Sequence, residues 1–303
     1  MTIIKLSEEV ADALAENRPV VALESTIISH GFPRPQNLEV AHTFEKALTD
    51  MDVAPATIAL IDGVPHVGLD SSQIDRIAND TSVIKVSGRD LGLAMTQKVT
   101  GATTVAATSI LAHQAGIRVF STGGLGGVHR GASDSFDESA DLTTLSRTPI
   151  TVVAAGVKSI LDIPATLERL ETLGITVAGY RTKQFPGFYL SDSGYSLDWR
   201  VESAAEVSEI MAHRDELDLE NAIVVANPLP LDQQLDPQLH DEVLDAALAE
   251  AAENDIHGKE VTPFLLAYLQ QHTKGASMTV NIDIAVNNIR LGGEIAIAWS
   301  GRR

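Results

Sequence analysis

The chain has 303 residues, of which 44% are hydrophobic and 21% are charged, and it contains no cysteine. Its net charge of −19 repels polyanions, which argues against nucleic-acid binding through phosphate contacts but still allows one small anionic ligand. The lack of cysteine excludes disulfides, thiolate metal ligands and a cysteine nucleophile, and leaves covalent chemistry to lysine or a carboxylate.

Neither a membrane span nor a secretion signal is visible in the sequence. No stretch approaches the roughly 20 consecutive apolar residues that a spanning helix needs. The opening residues MTIIKLSEEV lack a basic start and a long apolar centre. We therefore expect a cytoplasmic protein. No low-complexity linker divides the chain, so we also expect a single domain over residues 1–303.

Short β-branched runs alternate with helical patterns along the first two thirds of the chain. The predicted strands are 20–26 (VVALEST), 57–61 (TIALI), 82–87 (SVIKVS), 118–123 (RVFSTG), 151–156 (TVVAAG), 176–180 (TVAGY) and 222–228 (AIVVANP). Helical patterns lie at 35–51, 103–116 and 164–174. This alternation is typical of an α/β fold with a largely parallel, buried sheet. From about residue 202 the pattern is mostly helical and acidic, which predicts a helical C-terminal portion.

Polar residues follow or interrupt four of these strands. Glu24 closes the first, Lys85 lies within the third, Thr122 and several glycines follow the fourth, and Lys158 follows the fifth. Functional residues of parallel sheets cluster at the carboxyl ends of the strands. We therefore treat these positions as candidates for one site.

Each candidate also has a structural interpretation. An amine beside the apolar run TVVAAGV loses hydration, which favours the neutral, nucleophilic form of Lys158, but a surface lysine fits the local pattern equally well. Glu24 follows four apolar residues and needs a partner, which a cap or a structural ion pair would also provide. For Lys85 taken alone, a solvent-facing position on an edge strand is the favoured interpretation.

The segment 121–142, STGGLGGVHRGASDSFDESADL, is rich in glycine and then in acid. It misses the dinucleotide fingerprint, because His129 stands where the third glycine belongs, and the chain has neither a GxxxxGK[ST] loop nor a GxSxG elbow. The glycines let backbone N–H groups approach a ligand, although a flexible surface loop is the alternative. Asp134, Asp137, Glu138 and Asp141 offer oxygen ligands suited to Mg²⁺ or Mn²⁺, or form a solvated acidic loop.

The segment GATTVAATSILA places hydroxyl and small residues before a helical run. Free N–H groups near Thr104 and Val105 would seat a phosphate, whereas a plain helix start capped by threonine is the competing interpretation.

Nine sequence blocks together carry a resemblance to one family. They are ALESTIISHGFPRPQN, VSGRDL, GATTVAAT, TGGLGGVHRGA, DESADLTTLSRTP, GVKSILDI, VVANPLP, GKEVTPFLLAYL and VNNIRLGGEIA. In this order, from about residue 6 to 298, they resemble the pseudouridine-5'-phosphate glycosidase family. The resemblance implies reversible cleavage of the C–C glycosidic bond of pseudouridine 5'-phosphate to uracil and ribose 5-phosphate, by a homotrimer of αβα-sandwich subunits.

The resemblance also implies roles for individual residues. Lys158 would form an imine with C1' of the ring-opened sugar, Glu24 would donate a proton, and Asp137 would hold a divalent metal, typically Mn²⁺, with Mg²⁺ as the alternative. The predicted substrate-binding residues are Lys85, Thr104, Val105, Thr122, His129, Ser139, Ala140, Asp141 and Asn281. We expect no nucleic-acid or membrane partner.

Two positions depart from the family pattern. Val157 replaces a smaller alanine, which we expect to tighten the pocket around the lysine, and the run SGRD at 87–90 replaces a more basic one, which we expect to weaken phosphate affinity. Two other functions stay open at this point: an imine-forming aldolase or lyase for another sugar phosphate, and a non-catalytic sugar-phosphate binding protein.

Overall fold

The computed structural model of the protein describes residues 3–256 and 261–302. The first three residues of the block GKEVTPFLLAYL, 258–260, lie outside this range. The strands are β1 (Lys5–Leu6), β2 (Val20–Leu23), β3 (Ala54–Ile61), β4 (Val64–Val67), β5 (Ile84–Val86), β6 (Gly101–Thr103), β7 (Val119–Ser121), β8 (Thr151–Ala154), β9 (Thr176–Tyr180), β10 (Trp199–Val201) and β11 (Ile223–Ala226).

Helices connect most of these strands. They are α1 (Glu8–Ala15), α2 (Thr26–His30), α3 (Gln36–Thr49), α4 (Ser71–Asn79), α5 (Leu91–Thr96), α6 (Val105–Gln114), α7 (Ala132–Ser135), α8 (Ala140–Leu145), α9 (Ile163–Thr172), α10 (Ala204–Glu216), α11 (Pro237–Glu253), α12 (Val261–His272) and α13 (Ala276–Ser300). A 3₁₀ helix spans Gly88–Asp90. Among the described residues, no helix combines the length and apolar character needed to cross a membrane.

The strands form one sheet in the order β1-β4-β3-β2-β7-β8-β11-β9-β10, with β6 paired to β3 and β5 paired to β6. From β3 to β10 every neighbouring pair is parallel, whereas β4 and β6 run antiparallel to β3. The expected largely parallel sheet is confirmed.

Both faces of the central strands are buried against helices. In β7, Val119 packs in one apolar core and the next residue, Phe120, packs in the other, because successive side chains point to opposite faces. Helices α3, α10 and the C-terminal part of α13 supply the first core, and α6, α9 and α11 contribute to the second. This arrangement confirms the αβα sandwich and the helical C-terminal portion.

All seven predicted strands are present, but four others were not predicted. β1, β6 and β10 have only two or three residues, and β4 contains Pro65 and His66, so none shows an extended β-branched run. The helix predicted from Thr103 begins at Val105, because Thr103 still belongs to β6 and Thr104 caps the helix. The single-domain organisation stays a prediction.

Candidate active site

Three candidate residues lie at the ends of three neighbouring strands. Glu24 directly follows β2, Thr122 directly follows β7, and Lys158 comes four residues after β8. Because β2, β7 and β8 are adjacent and parallel, their carboxyl ends meet at one edge of the sheet. The topology therefore brings these three predicted residues together.

Glu24 is a buried carboxylic acid, only 8% exposed. Thr122 Oγ1 donates a hydrogen bond of 2.5 Å to Glu24 Oε1. The chain after Glu24 is fixed by Ser25, whose hydroxyl donates to the carbonyl of Ile58 at 2.6 Å. Burial raises the pKa of Glu24 above its ordinary value, and the charge of Lys158 and the hydrogen bond from Thr122 offset this only in part. Glu24 is thus suited to hold and deliver a proton.

Lys158 lies in a turn built from backbone hydrogen bonds. The N–H of Leu125 donates to the carbonyl of Gly156 at 3.0 Å, and the N–H of Lys158 donates to the carbonyl of Leu125 at 3.1 Å. Lys158 Nζ donates to the carbonyl of Gly124 at 3.0 Å. Gly156 has a φ of +76°, and a Cβ there would come 2.4 Å from the carbonyl oxygen of Pro186. Only glycine fits this position, so the turn that presents the half-buried lysine depends on it.

Lys85 joins the same group of charges although it lies on the edge strand β5. Its side chain is exposed, as the structural interpretation of the sequence expected. Desolvation nevertheless lowers the pKa of Lys85, and the charge of Lys158 lowers it further, while Glu24 and Asp141 oppose both effects. Two lysines and two acidic side chains thus act on one another electrostatically at this edge of the sheet.

Asp141 fixes the glycine-rich loop to helix α6. Its Oδ1 accepts from the N–H of Ala106 at 3.0 Å and its Oδ2 accepts from the N–H of Gly126 at 2.8 Å. Thr104 caps α6 by accepting from the N–H of Ala107. Within the part of the chain that the structure describes, the N–H of Val105 has no protein acceptor. The N–H groups of Ala106 and Ala107 are therefore already bonded within the protein. The predicted phosphate site at the start of α6, which stays a prediction, has fewer free donors than expected.

The acidic residues of the loop do not converge on one point. Asp134 is exposed, and Glu138 accepts a hydrogen bond of 2.8 Å from Arg169. In residues 3–256 and 261–302, no three His, Asp or Glu side chains are grouped as a metal site. Asp137 lies half-buried with one carboxylate oxygen 3.9 Å from His129 Nδ1.

The Asp137 carboxylate still fits a divalent ion. No described residue donates a hydrogen bond to it, so it can accept a cation that keeps several of its own water molecules. The neighbouring residues Ser139 and Ala140 begin helix α8, where the Ser139 hydroxyl accepts from the N–H of Asp141 at 3.2 Å. Asp137, Ser139 and Ala140 therefore lie on one short segment that leads into the buried Asp141.

Asn281 enters the site from helix α13. Its Oδ1 is buried and has no hydrogen-bond partner among the described residues. A methyl group on Gly123 would come within 3.6 Å of this oxygen, so the oxygen faces the glycine turn. Asn281 also lines a cavity of about 230 Å³ together with His30 and Tyr189. A buried acceptor without a donor is suited to receive a hydrogen bond from a ligand.

Sequence reasoning missed three residues that shape this site. The imidazole of His30 is exposed near Lys85, and desolvation and the charge of that lysine lower its pKa. Phe188 has a φ of +65°, and its ring packs on Gly124, where a Cβ would come within 2.6 Å of a ring carbon. The side-chain amide of Asn288 is fully buried under the glycine turn. Its position in the apolar block VNNIRLGGEIA was the available signal, since a buried amide needs partners.

The two positions that depart from the family pattern, Val157 and Gly88, lie in different surroundings. Val157 is fully buried and packs in the apolar core. A Cβ at Gly88 would come 2.9 Å from Ile110 of helix α6. The expected effects of both positions on the pocket and on phosphate affinity stay predictions.

Comparison with known proteins places the chain among enzymes of one kind. The profile of the family described as "Indigoidine synthase A like protein" matches residues 9–298. A pseudouridine-5'-phosphate glycosidase from Frankia alni is 62% identical over 299 residues, which cover 99% of this chain and 83% of the relative. Another from Salinispora tropica is 57% identical over 296 residues, covering 97% of this chain and 91% of the relative.

Two solved structures have the same fold. The prealnumycin C-glycosynthase AlnA in complex with ribulose 5-phosphate has a TM-score of 0.93 and 34% identity, covering 100% of this chain and 98% of its own. An indigoidine synthase A-like protein from Thermotoga maritima has a TM-score of 0.89 and 33% identity, covering 99% of this chain and 97% of its own.

Proposed function

The chain belongs to the indigoidine synthase A like family, together with the pseudouridine-5'-phosphate glycosidases, and we propose that it reversibly cleaves the C–C glycosidic bond of pseudouridine 5'-phosphate. The products are uracil and ribose 5-phosphate. The observation that carries this proposal is the placement of a buried carboxyl group, Glu24, and an amine, Lys158, at the ends of strands on either side of β7. The names of the relatives support the substrate, because they are glycosidases of this compound.

Lys158 supplies the nucleophile in the proposed mechanism. Uracil attached through carbon is a poor leaving group, so a simple oxocarbenium path is difficult. Instead, Lys158 Nζ bonds to C1' while the bond from C1' to the ring oxygen breaks, and that oxygen takes a proton from Glu24. The open-chain sugar is then held covalently by the enzyme.

The same nitrogen then serves as the electron source for C–C cleavage. After the bond to C1' has formed, the nitrogen passes one proton to the Glu24 carboxylate, which has just protonated the ring oxygen. The nitrogen lone pair then forms the C1'=N double bond as the bond to uracil C5 breaks. The electrons of that bond stay with the base, and Glu24 gives its proton to C5. Water adds to the iminium and releases ribose 5-phosphate and the free lysine. The reverse sequence joins uracil to the sugar.

Several groups would hold the substrate during these steps. Lys85 would provide a cation for the phosphate, and the free N–H of Val105 at the start of α6 would donate a hydrogen bond to it. The unpartnered Oδ1 of Asn281 would accept a hydrogen bond, and Thr122 would keep Glu24 in place. Holding C1' against the amine of Lys158 would remove a large part of the activation free energy. Positioning converts an encounter between two molecules into a step within one complex.

Asp137 would hold the divalent ion, Mn²⁺ or Mg²⁺. The ion supplies positive charge and ordered water near the sugar when it is bound. Asp137 and His129 would orient the loop that leads to Asp141, whose carboxylate is already fixed by two backbone N–H groups. A homotrimeric assembly and a cytoplasmic location are predictions of the family resemblance.

The test is incubation with pseudouridine 5'-phosphate and Mn²⁺, with chromatographic detection of free uracil. Unphosphorylated pseudouridine is the matched control for the phosphate, and dialysis against a chelator followed by Mn²⁺ or Mg²⁺ addition tests the metal. We expect the wild type to lose its activity in the presence of the chelator. We expect the activity of Asp137→Asn to be weak at all Mn²⁺ concentrations.

Borohydride reduction separates the alternatives. A sugar adduct on Lys158 with release of uracil supports the proposal. An adduct with ribulose 5-phosphate but no uracil from pseudouridine 5'-phosphate would indicate an imine-forming lyase or aldolase, and an unmodified lysine would indicate a binding protein.

A further inference from the structure

Both polar atoms of the Asn288 side-chain amide form hydrogen bonds near the end of strand β7. It is fully buried on helix α13, and its Nδ2 donates to the carbonyls of Thr122 at 2.8 Å and Gly123 at 3.2 Å. Its Oδ1 accepts from Nδ2 of Asn227 at 3.0 Å. The opposite amide orientation would set an oxygen against two carbonyl oxygens, so the partners fix the orientation.

The carbonyls that Asn288 holds belong to the segment that contacts both reacting groups. Thr122 donates to Glu24, and the carbonyl of Gly124 accepts from Lys158 Nζ. Gly123 lies between them, and its carbonyl also accepts from the N–H of Ala155 at 3.0 Å. One side-chain amide therefore fastens the short segment 122–124 to helix α13.

We propose that Asn288 is a positioning residue for the reaction, which aligns the Thr122 hydroxyl with Glu24 and the Gly124 carbonyl with Lys158. This inference rests on the proposed function, since it assigns a role within that mechanism. Asn227 acts one step further away, because it fixes the amide of Asn288. Neither asparagine touches the reacting atoms in this scheme.

The positioning role predicts a change in the pH profile. The ionisable groups that act on Glu24 are Lys158, Asp141 and Lys85, and Thr122 adds the only side-chain hydrogen bond to Glu24 within the described chain. That bond lowers the pKa of Glu24, so misplacing Thr122 raises it. Because the reaction needs protonated Glu24, the alkaline limb of the rate profile should move to higher pH.

The experiment measures kcat, KM and pH profile for uracil release by Asn288→Leu, which keeps the size of the side chain and removes its donors. We expect kcat to fall by about 10- to 100-fold, since small displacements of reacting groups cost that much, with KM changed by less than about threefold. The alkaline limb should shift upward. Asn287→Ala is the matched control on the same helix, because Asn287 donates instead to the carbonyl of Pro228, and all its parameters should equal those of the wild type.

A double-mutant cycle tests whether Asn288 acts through Thr122. Thr122→Val should shift the alkaline limb in the same direction, and the double variant should lose much less than the product of the two single losses. Asn227→Ala should give a smaller effect of the same kind and serves if Asn288→Leu does not fold. An unmoved pH limb, or fully multiplicative losses, would overturn the proposal.

Failure of the proposed function gives a different result. A wild-type enzyme that releases no uracil contradicts the activity, and the rate of borohydride trapping of ribose 5-phosphate on Lys158 then replaces uracil release in the same comparison. Equal trapping rates in the wild type and Asn288→Leu would overturn the positioning role.

Discussion

The hydroxyl of Thr122 donates a 2.5 Å hydrogen bond to the carboxylate of Glu24, although the two residues are 98 positions apart. The register of the sheet explains the contact. Leu23 of β2 pairs with Ser121 of β7 in a parallel ladder, so the next residue on each strand leaves the sheet beside the other. A hydroxyl donor thereby meets a buried carboxyl group at the point where both strands end.

Lys158→Ala should abolish turnover and leave the fold intact. The substitution removes the proposed nucleophile, and loss of such a group reduces the rate by more than about 10³-fold. Uracil release and borohydride trapping measure the effect, and circular dichroism checks the fold. Lys183→Ala replaces an exposed lysine and is the control. A Lys158→Ala enzyme with near-normal rate would refute the imine.

Glu24→Gln should reduce kcat by about 10²- to 10⁴-fold, the usual contribution of a general acid. Burial raises the pKa of Glu24, so the protonated acid persists above the pH at which an exposed glutamate ionises, and the wild-type rate should fall as pH rises through this pKa. The variant cannot ionise and should lose that limb of the profile. Retention of the limb in Glu24→Gln would assign it to another group.

Lys85→Met should weaken binding of the phosphorylated substrate with little effect on kcat. A charge-assisted contact contributes about 1.5–3 kcal/mol, which corresponds to about 10- to 100-fold in KM. Unphosphorylated pseudouridine lacks the group that Lys85 would bind. Steady-state kinetics with both substrates should therefore show a change for the phosphate ester alone, and an equal change for both would argue against a phosphate contact.

Gly156→Ala should lower both stability and activity. Its φ of +76° disfavours a side chain, and the new Cβ would clash with the backbone carbonyl of Pro186. Such strain costs about 1–3 kcal/mol, measurable by denaturant unfolding. Gly174 has a similar φ of +67° but open space around its Cβ position, so Gly174→Ala should keep full activity. Equal activity of the two variants would contradict the role of this turn.

Glu45→Gln should change the pH dependence of stability without changing catalysis. Burial raises the pKa of Glu45 to about 7, even though Thr57 donates a 2.7 Å hydrogen bond to it. Its folded-state pKa lies above the ordinary value of 4.5, so its protonation stabilises the fold at low pH, and that stability is lost as pH rises from 4.5 to about 7.

Unfolding free energies of the wild type and Glu45→Gln across this range give the test. The variant should lose less stability between pH 4.5 and 7, by on the order of 1–3 kcal/mol. Parallel pH dependence of the two proteins would show that Glu45 does not titrate in this way. Uracil release at a fixed pH should be the same for both.

Local sequence patterns predicted the central strands and three residues that follow them. The β-branched runs are long enough to mark β2, β7 and β8, and the strand-end rule then selected Glu24 and Lys158. Strand order could not be predicted in this way, because pairing joins segments about a hundred residues apart. The antiparallel β4 was missed because Pro65 interrupts a four-residue strand.

The polar surroundings of the site were harder to predict than the positions of Glu24 and Lys158 at the strand ends. Spacing alone could not show that Glu138 accepts a hydrogen bond from Arg169. Nor could it show that no described residue donates a hydrogen bond to the carboxylate of Asp137. Asn288 lies in a helix that is apolar around most of its circumference, so periodicity gave no face on which to place it. The role proposed for Asn288 depends on the carbonyls of Thr122 and Gly123, which are distant in sequence, so only the tertiary structure identifies these contacts.

Helix α13 has a consequence for the synthesis of the protein. Glu24, Thr122 and Lys158 leave the ribosome well before the helix that carries Asn281 and Asn288. Until that helix docks, the carbonyl of Thr122 lacks the amide of Asn288 as its donor, and a nascent chain would contain the proposed nucleophile Lys158 without the proposed alignment. Catalytic competence should therefore arise late in translation, so that unfinished polypeptides do not capture sugar aldehydes productively.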